Sequence, residues 1–400
     1  TNASPYVLGA ALSVEVVSAV PGNAAIGLTG NAGDNTLIGN AGNNQLTGGG
    51  GNDVFDGNAG GVDTMIGGTG SDNFRFDTVA NSLGNDTIDG GGGAGVDTLF
   101  ALLNGASIGS SLNLNQIEIL NFVTTGGASS IDFTNVATSL TTQVNVSGNA
   151  NLSAANVAGG GATPRFTLTN FLADFNADVL ATGGADNLSI GLDNANGQIT
   201  FDADIDGLLT FNVIGSPTGG YDIVTRAGAA SPDLALAGSG NIDLENLDQA
   251  QLNTATQTIF LDGFTGIAKL RVANSAGGSD LIHLLTNGSL ATIDTSGIET
   301  LELDTANEGG LSVLNLSQAT AATVRVLGTQ DLAIAAMNAA VFDASNYTGS
   351  FLRATNTASG ATAWNLGKAD VSTWLLGGAG ADTFNFVLDG GSSTPDRSDR

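Results

Sequence analysis

A nine-residue pattern rich in glycine constrains this chain more than any other feature. Between residues 30 and 75 the sequence falls into consecutive rows of the form G-G-x-G-x-D-x-U-x, where U is a large apolar residue. The rows are GNAGDNTLI (30–38), GNAGNNQLT (39–47), GGGGNDVFD (48–56), GNAGGVDTMI (57–66) and GGTGSDNFR (67–75). A fixed period of this kind indicates a repeat architecture, in which every row contributes the same piece of structure.

Each row divides into a turn and a short strand. Glycine at the first positions permits positive φ and close approach of backbones, so these positions predict a turn. In the last three positions the central side chain points inward and its two neighbours point outward. Two rows then make one coil of about eighteen residues, and stacked coils form a parallel roll. The residues expected in its core are Leu37, Leu46, Phe55, Met65 and Phe74.

Alternate rows place their turns on the same edge of such a roll. One edge then carries Asn35, Asp53 and Asp72, and the other carries Asn44 and Asp63. Carboxylates that are stacked at close range repel one another unless a cation lies between them. The pattern therefore predicts two edges along which acidic and amide side chains stack closely.

The rows resemble those of the repeats-in-toxin (RTX) proteins, whose nonapeptide repeats bind calcium in a parallel β-roll. Degenerate copies follow at 84–88 and 90–100, and a further full match lies at 377–385. The resemblance implies that carboxylates and backbone carbonyls hold calcium between stacked turns, as part of the fold. The residues implied for these metal sites are Asn35, Asn44, Gly49, Gly51, Asp53, Asp63, Gly68, Gly70, Asp72, Asp86, Asp97 and Asp382. A Gly/Asn-rich solenoid stacked without metal is the alternative, which Asn35 and Asn44 favour for the first coil.

The middle of the chain, from 101 to 370, contains fewer glycines and many short alternating segments. TQVNVSG (142–148) and IETLELDT (298–305) are examples, and this alternation predicts half-buried strands. LAIAAMNAAVF (332–342) is the best candidate for a helix. The predicted fold class is all-β. It comprises a calcium-binding parallel β-roll, then an irregular β-solenoid or β-sandwich with short helices, and a second RTX repeat.

The expected divisions of the chain follow these changes in composition and pattern. They are a lead-in at 1–29, the RTX roll at 30–100, the strand-rich region at 101–370 and a truncated second repeat at 371–400. Shortened copies of the repeat contain Asp186 and Asp280, for which a metal role and a solvated turn stay equal alternatives. Turns of RTX type between long Thr/Asn/Ala-rich strands also resemble, more loosely, the RTX-type surface-layer proteins of bacteria.

Charge and composition limit the partners. The chain has 38 acidic residues against ten Lys and Arg, giving a formal net charge of −28. Nucleic acid and anionic membranes depend on basic contacts and are therefore not expected as partners. No apolar run approaches the ~18 residues of a spanning helix, and the first residues lack the basic region of a signal peptide. The absence of cysteine fits an extracellular protein stabilised by other means, for example by metal.

The chain is predicted not to be an enzyme. Its single histidine, His283, rules out an HExxH zinc site, which needs two histidines. A Ser-His-Asp triad would depend on the same residue, whose apolar neighbours place it on a strand. Paired aspartates leave a carbohydrate-active site as a minor alternative. Trp364 and Trp374 are expected to be packing or interface residues.

The predicted function is that of a secreted, calcium-dependent structural protein of the bacterial cell surface. It is expected to self-assemble into a layer or filament, because the open ends of a solenoid readily pair with other chains. The expected partners are copies of itself and, as a second candidate, a cell-surface polysaccharide. The RTX resemblance implies export by type I secretion. A calcium-stiffened RTX adhesin or carrier module is the alternative, followed by a β-helical carbohydrate-active enzyme.

Overall fold

The structure is a computed structural model that divides into two compact units. Unit 1 comprises Thr1–Ile205 with Arg226–Ala229, and unit 2 comprises Asp206–Thr225 with Ala230–Arg400. The described residues are 5–10, 15–78, 81–136, 143–158, 165–180, 188–193, 199–201, 208–213, 221–224, 233–247, 258–272, 280–296, 298–305, 310–319, 321–367 and 372–386.

Unit 1 contains three sheets of parallel strands, named I, II and III here. Sheet I contains β1 (Tyr6–Val7), β3 (Gly27–Thr29), β5 (Gln45–Gly50), β7 (Thr64–Thr69), β9 (Thr87–Asp89) and β12 (Asn113–Asn115). Sheet II contains β2 (Val16–Ser18), β4 (Thr36–Ile38), β6 (Val54–Asp56), β8 (Asn73–Phe76), β10 (Thr98–Leu103), β13 (Ile119–Thr124), β15 (Gln143–Gly148), β17 (Arg165–Phe171) and β19 (Leu188–Asp193). Sheet III contains β11 (Ser107–Ile108), β14 (Ser129–Asp132), β16 (Leu152–Ala158), β18 (Phe175–Leu180) and β20 (Ile199–Phe201).

Unit 2 contains two sheets, named IV and V, and its strands alternate between them along the chain. Sheet IV contains β21 (Leu208–Val213), β23 (Asp233–Gly238), β25 (Thr258–Asp262), β27 (Leu281–Asn287), β29 (Thr300–Asp304), β31 (Thr323–Gly328), β33 (Val341–Tyr347), β35 (Ala363–Leu366) and β37 (Thr383–Phe386). Sheet V contains β22 (Tyr221–Val224), β24 (Ile242–Leu247), β26 (Ile267–Val272), β28 (Leu290–Ser296), β30 (Ser312–Leu316), β32 (Leu332–Met337), β34 (Phe351–Asn356) and β36 (Ser372–Leu376). Each unit is thus a parallel β-solenoid.

Apolar side chains at alternate strand positions fill the interior of unit 1. The Phe55 and Phe74 rings stack with their centroids 4.7 Å apart, because β6 and β8 pair in register. Leu46 lies beside Met65 in the same way in sheet I. These four residues and Leu37 have no exposed surface, so the predicted core of the roll is confirmed.

The β-solenoid prediction for the middle of the chain is confirmed, and the β-sandwich alternative is wrong. A sandwich packs antiparallel sheets against each other. The described strand pairs of this region are parallel, for example β13 with β15 and β29 with β31. Coils that advance by one strand spacing per turn need no hairpin, which explains the absence of antiparallel pairs among the described residues.

The predicted short helices are also wrong. Residues 332–342 form β32 and the start of β33, and the described residues contain no helix. Leu332, Ile334 and Met337 are buried, and the pairing of β32 with β34 shifts register between the last two. The helix propensity of an alanine-rich segment is a weak preference that pairing with the coils on both sides overrides. Within the described ranges, therefore, no helix is long and apolar enough to cross a bilayer.

Candidate calcium sites

Buried acidic side chains form a hydrogen-bonded ladder along one edge of unit 1. The backbone N–H of Asn35 donates to Asp53 Oδ1 at 2.7 Å, and that of Asp53 donates to Asp72 Oδ1 at 2.7 Å. The N–H of Asp72 donates to Asp97 Oδ1 at 2.7 Å, and that of Asp97 donates to Glu118 Oε2 at 2.6 Å. Each carboxylate is therefore held in place by the backbone of the preceding coil.

A second ladder follows the other edge. The backbone N–H of Asn44 donates to Asp63 Oδ1 at 2.7 Å, and that of Asp63 donates to Asp86 Oδ1 at 2.6 Å. Asp86 Oδ2 accepts a further bond from Gly84 N–H at 2.9 Å. The predicted division of the stacked residues between two edges is confirmed, and both ladders extend into the degenerate repeats.

The second oxygen of two ladder carboxylates faces an oxygen-lined space. Asp53 and Asp72 are 1% and 2% exposed, and within the described residues their Oδ2 atoms have no hydrogen-bond partner. A Cβ at Gly48 would collide with Asp53 Oδ2 and lie 2.7 Å from the Gly67 carbonyl oxygen. A Cβ at Gly67 would collide with both Asp72 Oδ2 and the Gly90 carbonyl oxygen. An ionised carboxylate buried without a donor is costly, so these spaces suit a cation.

The turn glycines bring carbonyl oxygens of successive coils close together. Gly49, Gly51, Gly68 and Gly70 have φ values of 114°, 90°, 118° and 131°, which L-residues with side chains rarely adopt. A Cβ at Gly68 would collide with the Gly49 carbonyl oxygen, and one at Gly70 with the Gly51 carbonyl oxygen. The predicted turn is confirmed at these glycines, and their service as calcium ligands stays a prediction.

The donor set fits calcium better than a transition metal. In the part of the chain that the structure describes, no three acidic or histidine side chains converge to hold a metal. A cation in these spaces would therefore take most of its ligands from backbone carbonyls and the rest from aspartate. Calcium accepts six to eight oxygen ligands of both kinds, whereas transition metals favour nitrogen and sulfur.

Asparagine side chains form hydrogen bonds with several backbone groups of the first coil. Asn44 Nδ2 donates to the carbonyl oxygens of Asn40 at 2.8 Å and Gly42 at 2.5 Å, and to Asp63 Oδ1 at 2.9 Å. Asn35 Oδ1 accepts a 2.8 Å bond from a backbone N–H four residues earlier. The Asn44 amide thus contacts oxygens that a cation would otherwise join. Its own Oδ1 is buried and has no partner among the described residues, so a ligand role for Asn44 rests on that atom.

The second RTX repeat has the same local geometry in unit 2. Asp382 Oδ1 accepts a 3.0 Å hydrogen bond from Thr362 N–H of the preceding coil. A Cβ at Gly377 would collide with Asp382 Oδ2, as at the first glycine of the earlier repeats. Asp382 is half-buried, and β37 is the last described strand of sheet IV. Its ligand role stays a prediction, while Asp186 lies outside the described residues.

Glu118, at the end of the first ladder, was not among the residues predicted from the sequence. The backbone N–H of Glu118 donates to the Asp97 carbonyl oxygen at 3.1 Å, in return for the bond to its carboxylate. Gln116, two residues earlier, has φ +51° and lies within the same turn. Asp280 and Glu299 repeat the arrangement in unit 2, where the N–H of Asp280 donates to Glu299 Oε2 at 2.7 Å. The similar segments QIEILNF and GIETLELD were the available signal.

Burial changes the acidity of the ladder. It raises the pKa of three carboxyls to about 6 from an ordinary value of 3.8, and backbone N–H donors from the preceding coil only partly oppose it. These carboxyls belong to Asp53, Asp63 and Asp97. Burial also raises the pKa of Asp72 and of Asp86. Without a cation the folded roll therefore favours protonated ladder residues more than the unfolded chain does.

Calcium-free protein is expected to become more stable as the pH falls from 7 to 5. The folded ladder takes up protons near pH 6, whereas the unfolded chain does so near 3.8, so the free energy of unfolding rises across this window. In saturating calcium the sign should reverse, because protons compete with the cation for the carboxylates. Thermal unfolding of dialysed protein, with and without calcium, checks this. Asp53→Asn with Asp63→Asn should lose a large part of the rise, because these are two of the three carboxyls whose pKa is raised to about 6. This loss separates the effect from general relief of negative charge.

His283 lies among carboxylates on the outer side of sheet IV. Its Nε2 is 3.6 Å from Asp304 Oδ2 and 4.0 Å from Glu302 Oε1. Glu302 also pairs with Arg325 at 2.9 Å, and Arg325 lies 4.0 Å from Asp343. The histidine therefore lies beside a partly exposed group of charged side chains, formed by Glu302, Asp304, Arg325 and Asp343.

Comparison with known families assigns the cation of the first coils. Residues 29–61 match the model of the RTX calcium-binding nonapeptide repeat in four copies, which supports the RTX resemblance for that segment. RTX nonapeptide repeats bind calcium, so calcium is the metal of these coils. The matched segment includes Asn35, Asn44 and Asp53 of the two ladders. Searches of curated proteins and of solved structures find no match to this chain.

Proposed function

We propose that this chain is a secreted structural protein of the bacterial cell surface, which self-assembles with calcium into a layer or filament. The observation that carries the proposal is the pair of buried aspartate ladders, whose Asp53 and Asp72 Oδ2 atoms face oxygen-lined spaces in RTX-type coils. In this proposal the ladder aspartates and the carbonyls of the turn glycines hold calcium. The metal is then a structural component of the solenoid.

A fold that needs calcium as a structural component supports a location outside the cell. Calcium modules of extracellular proteins work at free calcium concentrations of about 10⁻⁴ to 10⁻³ M. At much lower calcium the stacked carboxylates within each ladder would repel one another, so the chain is proposed to complete its fold after export. RTX proteins are typically secreted through type I systems, which agrees with this order of events.

A structural role is favoured over catalysis by the way the chain uses its reactive side chains. The single histidine lies beside the carboxylates of Glu302 and Asp304 on a strand. The ladder carboxylates are held by backbone hydrogen bonds rather than aimed across an open cleft. We therefore propose a non-enzymatic protein, whose partners are its own copies and, as a second candidate, a surface polysaccharide.

Negative-stain electron microscopy of the purified chain is the experiment that tests self-assembly. In millimolar calcium we expect ordered sheets or filaments, which dissolve when calcium is chelated. Magnesium at the same concentration is the matched control, because it retains its water ligands and prefers strict octahedral geometry. Dispersed particles in calcium and in chelator alike would refute self-assembly and favour the adhesin or carrier module.

A further inference from the structure

Four neighbouring strands of sheet V contain no acidic residue. They are β30 (SVLNL), β32 (LAIAAM), β34 (FLRATN) and β36 (STWLL). This is unusual in a chain with 38 acidic residues and a net charge of −28. The outer side of these four strands is called the acid-free face below.

The acid-free face exposes large apolar side chains beside a cation. Strand register places Arg353 next to Trp374, and Thr355 next to Leu376. Trp374 is 69% exposed and Leu376 is 64% exposed. Together with Phe351 they line an open groove of about 610 Å³. Exposed apolar patches of this kind mark interaction surfaces in soluble proteins.

Arg353 differs from the four other cations whose side chains the structure describes. The side chains of Arg75, Lys269, Arg271 and Arg325 each lie 2.9 to 3.2 Å from a carboxylate. Within the described residues, Arg353 is exposed and has no carboxylate within 4.0 Å. Its charge is thus available to a partner, and it is surrounded by strands that supply no acid.

We infer that the acid-free face docks onto the carboxylate-rich surface of a second copy of this chain. The inference rests on the proposed self-assembly and names the surface responsible for it. Tryptophan and arginine are the residues that most often dominate the binding energy of protein interfaces. Every copy offers the negative surface that Arg353 lacks in its own fold. The aliphatic Leu376 favours a protein partner over a saccharide, because flat aromatic rings rather than branched side chains stack on sugars.

The contact must be heterologous, which agrees with an extended assembly. Two copies meeting through the same acid-free face would bring Arg353 of each close to the other without any acid between them. A contact between different surfaces instead continues from copy to copy, and it generates an open filament unless its rotation closes a ring. A contact of this type agrees with the proposed layer or filament.

The two tryptophans of the chain provide the test. Trp374 is 69% exposed, whereas Trp364 has no exposed surface and stacks on Phe384 with centroids 5.5 Å apart. Acrylamide should quench Trp374 strongly in dispersed protein, and this quenching should fall several-fold as calcium drives assembly. A Trp374→Phe variant retains only Trp364 and should show weak quenching in both states.

Substitutions on the face provide the second arm of the test. Arg353→Glu should raise the protein concentration needed for assembly at least about tenfold, because one hot-spot residue contributes that much. Leu172→Ser is the control, since Leu172 is 60% exposed in unit 1, outside the acid-free face, and it should leave assembly unchanged. Bound calcium, measured for each variant, should equal that of the wild type.

The outcomes separate this inference from the proposed function. Assembly of the wild type with Trp374 still quenched, or undiminished assembly of Arg353→Glu, would overturn the inference and leave self-assembly intact. Shielding of Trp374 only after addition of alginate, an anionic polysaccharide, would assign the face to a saccharide instead. Failure of the wild type to assemble in calcium would overturn both.

Discussion

Removal of calcium at pH 7.5 is expected to unfold the coils between residues 30 and 100. The Asp53 and Asp72 Oδ2 atoms then face carbonyl oxygens in buried spaces with no positive charge between them. A site stabilises the fold by about 2.7 kcal/mol when calcium exceeds its Kd a hundredfold, so two sites contribute about 5 kcal/mol. That amount is comparable with the whole free energy of unfolding of an ordinary domain.

Hydrogen exchange measured by mass spectrometry would locate this unfolding. Protection should be lost in β4 to β10 on chelation and retained in β29 to β35, whose described residues contain no ladder of stacked aspartates. Replacement of calcium by magnesium should give the chelated pattern. Equal protection of β4 to β10 with and without calcium would show that hydrogen bonds alone hold the ladder.

The core and the two edges of the roll were predictable because the repeat sets both. A nine-residue row places one apolar residue inward, and two rows return the chain to the same edge. Phe55 and Phe74 stack for this reason, and Asp53 contacts Asp72 rather than Asp63. The nine-residue period and the chemistry of glycine, taken together with the RTX resemblance, were sufficient for these predictions.

The end of the ladder was not predictable, because the period changes there. Asp53 and Asp72 are 19 residues apart, but the contact of Asp72 with Asp97 spans 25 residues. Asp97 was still predicted, because a degenerate copy of the repeat at 90–100 contains it, but no copy of the repeat covers residue 118. Glu118 therefore stayed unnoticed, although it caps the ladder with a 2.6 Å bond.

Pairing between coils also determines two features that the local sequence does not predict, namely the strands at 332–342 and the acid-free face. The segment 332–342 has the alanine content of a helix, yet it forms strands because the neighbouring coils already present parallel edges to it. The acid-free face likewise consists of four short strands separated along the chain. Strand pairing makes these four segments neighbours and places Arg353 beside Trp374, so their shared lack of acidic residues becomes a property of one surface.

A single methyl group at Gly67 is expected to abolish calcium binding between two coils and to destabilise the roll. The new Cβ would occupy the space between Asp72 Oδ2 and the Gly90 carbonyl oxygen. Overpacking alone costs about 1 to 3 kcal/mol, and the loss of a filled site adds to it. Gly67→Ala should therefore bind at least one calcium fewer in equilibrium dialysis and should melt at a lower temperature in calcium.

Gly92→Ala is the control that isolates the steric effect. A Cβ at Gly92 would have no atom within 4 Å, and neither Gly67 nor Gly92 has a positive φ that a side chain would strain. Both substitutions reduce the flexibility of the unfolded chain to the same degree, so this contribution cancels between them. The difference between the variants then reports on the oxygen-lined space alone. Equal calcium binding by the two variants would mean that calcium does not enter that space, and the ladder would have to bind it from its outer side.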